Sequence, residues 1–182
     1  MRAVSVLILA ATMCAAGEAR ASMQVIGGTI AKDCYRAAKS VDAAHGVSLC
    51  TLAIDNEFLS PRDLAATYDN RGTLYVERRA FEAARQDFER AIALDPALGE
   101  PFVNHGAVLI WERDYSGAIA EITHGLAMSP GEPEKAYYNR ALAYEYSGDL
   151  KAAYADYEKA AELKPDWAQP KTDLARFSVK HK

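Results

Sequence analysis

No stretch of this chain alternates apolar and polar residues as a half-buried strand does, and no glycine-rich loop opens a helix behind a strand. A sheet-built fold and a phosphate-cradling loop are therefore not expected. Histidine is scarce: His45, His105, His124 and His181 lie scattered without metal-ligand spacing. No nucleophile stands beside a base, so no enzyme, cofactor or metal centre is expected. Excess positive charge is also missing. Lys and Arg number 21 against 25 Asp and Glu, a net charge of -4, and the two signs alternate along the chain. That is a solvated surface rather than a nucleic-acid footprint.

Long apolar runs are absent but for one, Ala3 to Ala16, too short to span a bilayer comfortably. It follows Arg2 and precedes Ala19-Arg20-Ala21, the order of a secretory signal peptide: basic start, apolar middle, small residues at the cut. Residues 1–21 are thus expected to be removed. The mature chain from Ser22 would be periplasmic or secreted, with no stable membrane insertion after cleavage. Lipidation at Cys14 is disfavoured by Met13, which stands where a small residue is expected.

Removal of the leader takes Cys14 with it and leaves Cys34 and Cys50. An even number in an oxidising compartment points to one disulfide, with a stabilisation of about 3 kcal/mol from closing a loop of that size. Two buried thiols or a metal pair are the alternatives, although no histidine lies at ligand spacing from either cysteine.

What the sequence has in abundance is a pattern that returns. Tyr68, Arg71, Gly72, Tyr75, Ala84, Phe88, Ala91 and Pro96 are followed 34 residues on by Phe102, His105, Gly106, Leu109, Ala118, Ile122, Gly125 and Pro130. Tyr137, Arg140, Ala141, Tyr144, Ala153, Tyr157, Ala160 and Pro165 make a third copy. This period, with large-small-large on one segment and Ala-aromatic-Ala on the next, resembles the tetratricopeptide repeat (TPR) family. The resemblance implies an all-α fold, a right-handed solenoid of helix pairs.

The chain then divides into a flexible lead at 22–28, a degenerate helical hairpin at 29–59, repeats at 65–98, 99–132 and 134–167, and a capping helix with tail at 168–182. In the leading hairpin, Cys50, Ala53 and Ile54 match Phe88, Ala91 and Ile92. The first helix is expected to run to about Ala44, with a break at His45-Gly46. The cysteines would then face each other and staple the terminal hairpin. Ser60-Pro61 with Asp63 reads as a helix start. Gly72, Gly106 and Ala141 should let the paired helices approach closely, against Ala84, Ala118 and Ala153. Arg71, His105 and Arg140 stand sixteen residues before Asp87, Glu121 and Asp156, which suggests an ion pair within each hairpin.

The family's binding surface is the concave face of the first helices, so the resemblance implies a groove of Asp69, Asn70, Thr73, Glu77, Val103, Asn104, Ala107, Trp111, Lys135, Tyr138, Asn139, Leu142 and Tyr146. Asn70, Asn104 and Asn139 share one repeat position, and a ladder of amides there can donate to and accept from an extended backbone. Trp111, Tyr138 and Tyr146 are the aromatic anchors expected of such a surface. The family's carboxylate clamp would fall on Asp69, Thr73, Asn104, Lys135 and Asn139. Only Asn104 and Lys135 fit it, and an acidic balance suits a neutral or basic segment better. The expected function is a protein- or peptide-binding adaptor of the cell envelope. The alternative is a structural subunit that uses its ends or convex face.

Overall fold

The computed structural model describes Met23, residues 28–40 and residues 43–177. The expected signal segment, most of the lead and the tail 178–182 lie outside the described residues. Among those described, nine helices follow one another with no strand: α1 Thr29–Ala38, α2 Ala43–Asn56, α3 Pro61–Glu77, α4 Phe81–Leu94, α5 Gly99–Trp111, α6 Tyr115–Ala127, α7 Pro133–Ser147, α8 Leu150–Leu163 and α9 Ala168–Phe177. They pair as hairpins and stack in order, with α9 closing the end, the all-helical solenoid that the repeats imply. No helix among the described residues is long and apolar enough to cross a membrane.

Local chemistry sets the helix limits. Ser60 accepts from the Asp63 N–H at 3.1 Å, and Pro61 opens α3. Asp114 and Asp149 accept from the N–H groups of Gly117 and Ala152 at 2.9 and 3.1 Å and start α6 and α8. The three tight turns share one geometry. Arg79, Arg113 and Gly148 all have positive φ, at 57, 66 and 92°. The next residue's N–H then donates back five positions, to Tyr75, Leu109 and Tyr144, each at 2.9 Å.

The leading hairpin departs from expectation at its break. That break falls after Ala38, and His45 and Gly46 lie inside α2. Gly46 serves packing rather than a turn: a Cβ there would meet Leu74 Cδ1 at 2.8 Å and Ala37 Cβ at 2.9 Å. Cys34 and Cys50, both fully buried, are joined by a disulfide with Cα atoms 4.7 Å apart. A second tie comes from Glu57, whose carboxylate accepts from the N–H groups of Thr29, Ile30 and Ala31 at 2.7, 3.0 and 2.8 Å. Desolvation works against its charge, but these three donors outweigh it and hold the carboxyl below its ordinary value. Negative charge at the start of α1 thus stands in for a capping side chain.

Within the hairpins the close contact differs in detail from the small-on-small expectation. A Cβ on Gly72 would meet Phe88 at 2.5 Å, and one on Gly106 would meet Ile122 Cγ1 at 2.5 Å, the Ala118 carbonyl lying farther away at 3.2 Å. The missing side chain makes room for the large residue of the partner helix. At the far end, Trp167 lies against Tyr138 with centroids 4.8 Å apart, and Tyr138 donates to Asp173 of α9 at 2.8 Å.

Candidate peptide-binding groove

The face in question is carried by α3, α5 and α7, the first helices of the three hairpins. Asn70 on α3 is fully buried and holds the backbone of Met23 at both ends: the Met23 N–H donates to Asn70 Oδ1 at 3.0 Å, and Asn70 Nδ2 donates to the Met23 carbonyl at 2.9 Å. One side-chain amide thus satisfies both polar groups of a residue 47 positions away. The Met23 side chain is buried too and joins an apolar cluster with Ala31 and Ala66. The expected flexible lead is anchored at this point.

The other two asparagines are placed differently. Asn104 donates from Nδ2 to Asp69 Oδ1 at 2.9 Å and so ties α5 to α3, while Asn139 is 1% exposed. No ladder open to solvent results, and the Asn70 rung grips a backbone. Asp69 and Thr73, one helical turn apart, are buried, and Asp69 Oδ2 and Thr73 Oγ1 have no hydrogen-bond partner. Desolvation, aided by Glu100 and opposed by the Asn104 bond, pushes the Asp69 carboxyl well above its ordinary range. Lys135 pairs with Glu132 at 2.9 Å. The five clamp positions therefore present a buried acid and a cation already paired with Glu132.

Two of the expected anchors have other occupations. Trp111 stacks on Phe81 at 5.1 Å, with Arg79 over its ring at 5.6 Å; Tyr146 stacks on Tyr115 at 5.5 Å. Each is the end of one first helix laid on the turn of the hairpin before, a recurring edge contact. Tyr138 is 1% exposed beneath Trp167 and α9, and Val103 is likewise buried between helices. Glu77, Ala107 and Leu142 remain half-buried on the face. Sequence reasoning missed Met23, whose signal was only its place in the lead, and Glu57, whose role needs the fold.

Models of the tetratricopeptide repeat match residues 65–98 and 134–166. The chain carries tetratricopeptide repeats. Hairpin 99–132, between the two matched segments, shares their turn geometry and helix pairing. Among curated relatives, the DnaJ homolog subfamily C member 7 homolog of Dictyostelium discoideum is 28% identical over 115 residues, covering 61% of this chain and 21% of the relative. The lipoprotein NlpI homolog of Haemophilus influenzae is 28% identical over 99 residues, 54% of this chain and 31% of the relative. The chain thus spans a third or less of these relatives' lengths. Among solved structures, the second TPR domain of human RPAP3, determined with an HSP70 peptide, superposes with a TM-score of 0.60 at 26% identity, covering 66% of this chain and 99% of that domain.

Proposed function

We propose that the protein is a non-catalytic adaptor of the cell envelope, periplasmic or secreted, that holds an extended segment of a protein partner on the face of α3, α5 and α7. The carrying observation is the paired hydrogen bond between Asn70 and the Met23 backbone, since it is the chemistry by which an amide holds any extended chain. Half-buried Ala107 and Leu142 offer apolar contact beyond it. With Glu100 beside this face and Lys135 paired, the charge balance favours a neutral or basic segment over an acidic one. The TPR domain of RPAP3, solved with a bound peptide, supports a peptide ligand. The signal-like start, the disulfide and the resemblance to a lipoprotein support the envelope.

In-cell photocrosslinking from position 107, with a matched probe at exposed Glu89 on α4, tests the surface. A partner caught from 107 and not from 89 is expected; capture from 89 alone would overturn the groove reading. N-terminal sequencing of the protein recovered from a periplasmic fraction should begin at Ser22. Retention of residues 1–21 in a cytoplasmic fraction would overturn the location.

A structural-subunit reading is favoured by one observation. Tyr146, Leu150 and Tyr154 are 54, 46 and 39% exposed near the last turn, and Tyr154 meets Phe177 of α9 at 6.0 Å. A sizing column would show a monomer for the adaptor. A stable oligomer that Leu150→Glu dissociates would support the subunit instead.

A further inference from the structure

We infer that the chain carries its own resident ligand: the lead at Met23 fills the Asn70 subsite of the groove, and a partner enters by displacing it with an extended segment that has an unbranched apolar residue at that place. The inference rests on the groove reading above and names what the groove selects. Both bonds from Asn70 go to backbone groups, so any residue except proline supplies the acceptor and the donor, and the amide selects conformation rather than identity. Identity is selected by the side chain's surroundings. Met23 is 8% exposed in an apolar cluster that includes the small residues Ala31 and Ala66, against which Ile30 and Tyr35 pack, a lining that suits a long flexible apolar chain and makes burial of a charge costly.

Asn70 also has the chemistry of a ligand site rather than a packing contact. A leucine would fill the same volume and an aspartate would accept from the N–H, but the amide serves both backbone groups of Met23 at once. The link from Met23 to α1, which starts at Thr29, is short, so the lead competes at an effective concentration of about millimolar. Partner and lead exclude each other at this rung. The effective affinity of a partner is then its intrinsic affinity reduced by the occupancy of the lead.

The test uses the full chain and a fluorescent peptide of residues 22–28, Ser-Met-Gln-Val-Ile-Gly-Gly. Hydrogen exchange should show a protected Met23 amide in the parent and fast exchange in Asn70→Leu. Met23→Pro removes the N–H and frees the lead, so this variant should bind the peptide about tenfold or more tighter than the parent does. Adding Asn70→Leu to it should abolish binding, whereas a peptide with aspartate in place of its methionine should not bind the Met23→Pro variant. An unprotected Met23 amide in the parent would overturn the inference, as would equal peptide binding by parent and Met23→Pro or binding that survives Asn70→Leu. Protection without any gain of binding in Met23→Pro would make the lead a fixed part of the fold and end the displacement claim. The groove reading fails separately, on crosslinks from position 107.

Discussion

The first and third hairpins share a cluster that the middle one lacks. In the first, Arg71 forks onto Asp87 at 2.7 and 2.9 Å, reaches Thr51 of the preceding hairpin at 3.0 Å, and lies 5.3 and 5.8 Å from the rings of Tyr68 and Tyr75. The third repeats this almost atom for atom. Arg140 meets Asp156 at 2.7 and 3.0 Å, Thr123 of the preceding hairpin at 3.0 Å, and Tyr137 and Tyr144 at 5.4 and 5.9 Å. The middle hairpin puts His105 and Glu121 at the same places, 3.8 Å apart, with His105 Nδ1 and Glu121 Oε2 buried and without hydrogen-bond partners. Phe102 and Leu109 stand where the outer hairpins have tyrosines, and the counterpart of the threonine is Glu89, exposed and bound to Arg85. Two consequences follow. The outer hairpins each lock to the hairpin before them through one arginine, while the middle one has no such lock. A polar tie to the first hairpin comes instead from the groove side, by Asn104 on Asp69, beside the Trp111–Phe81 stack.

The largest effect separates packing from polar chemistry. Gly106→Leu should unfold the middle hairpin or the whole array, because even a Cβ there meets Ile122 at 2.5 Å. Ala141→Gly, at the equivalent place in the third hairpin, should cost only about 1 kcal/mol. An unchanged thermal midpoint for Gly106→Leu would remove the packing argument. Next comes the arginine lock. Asp87→Ala or Asp156→Ala strands a mostly buried guanidinium and should cost about 3 kcal/mol, whereas Glu121→Ala, facing a histidine that need not be charged, should cost under ~1 kcal/mol. Equal losses in denaturant titrations would show that the three hairpins are held alike.

The sequence carried the architecture because the repeat is an internal control. Eight positions recurring three times fix the helix pairs, and the sixteen-residue spacing of Arg71 to Asp87 and of Arg140 to Asp156 marks ion pairs that the structure forms. The same spacing brings His105 and Glu121 to within 3.8 Å of each other, without a hydrogen bond at His105 Nδ1. Their side chains do not reach a fork, since an imidazole lacks the guanidinium's parallel donors. The leading hairpin is legible in its disulfide but not in its break: a glycine after histidine suggests a turn, whereas the reason Gly46 lacks a side chain is Leu74, contributed by a different helix. The groove was the least legible part. Repeat position fixes which residues lie on first helices, yet whether Tyr138 and Trp111 face a partner or a neighbour depends on α9 and on the turn at Phe81, contacts that no single repeat encodes. The Asn70 rung was legible as chemistry, while its occupant was not.

A smaller effect concerns the groove side of the first-to-middle contact. The position of Asp69 is held by Val103 and Tyr138 in the later hairpins, so a buried acid is peculiar to the first. Its folded carboxyl is held well above the ordinary range, so the folded chain keeps a proton that the unfolded chain releases. Stability from this group is therefore lost as pH rises from about 4 through the folded value. Asp69→Asn keeps an oxygen for the Asn104 amide and should raise the thermal midpoint at neutral pH, with the gain shrinking towards pH ~4. A gain independent of pH would mean that the carboxyl is ionised in the folded chain.

The smallest effect tests the turns, where the first and middle hairpins differ from the third. Arg79 and Arg113 adopt the left-handed backbone that Gly148 adopts without strain. A non-glycine residue there carries a cost of about 1 kcal/mol, so Arg113→Gly should relieve it, less what glycine adds to the freedom of the unfolded chain. The expected gain is a few tenths to about 1 kcal/mol. Arg79→Gly should gain less or nothing, because that guanidinium lies 5.6 Å over Trp111 and the contact goes with it. Combining Arg79→Gly with Trp111→Leu separates the two terms. If the backbone relief is real, the glycine should stabilise the leucine background by the same amount that Arg113→Gly stabilises the parent. A glycine that still gives no gain there would place the tolerance of positive φ in the turn's own hydrogen bonds, Ala80 to Tyr75 and Asp114 to Leu109, rather than in the side chain.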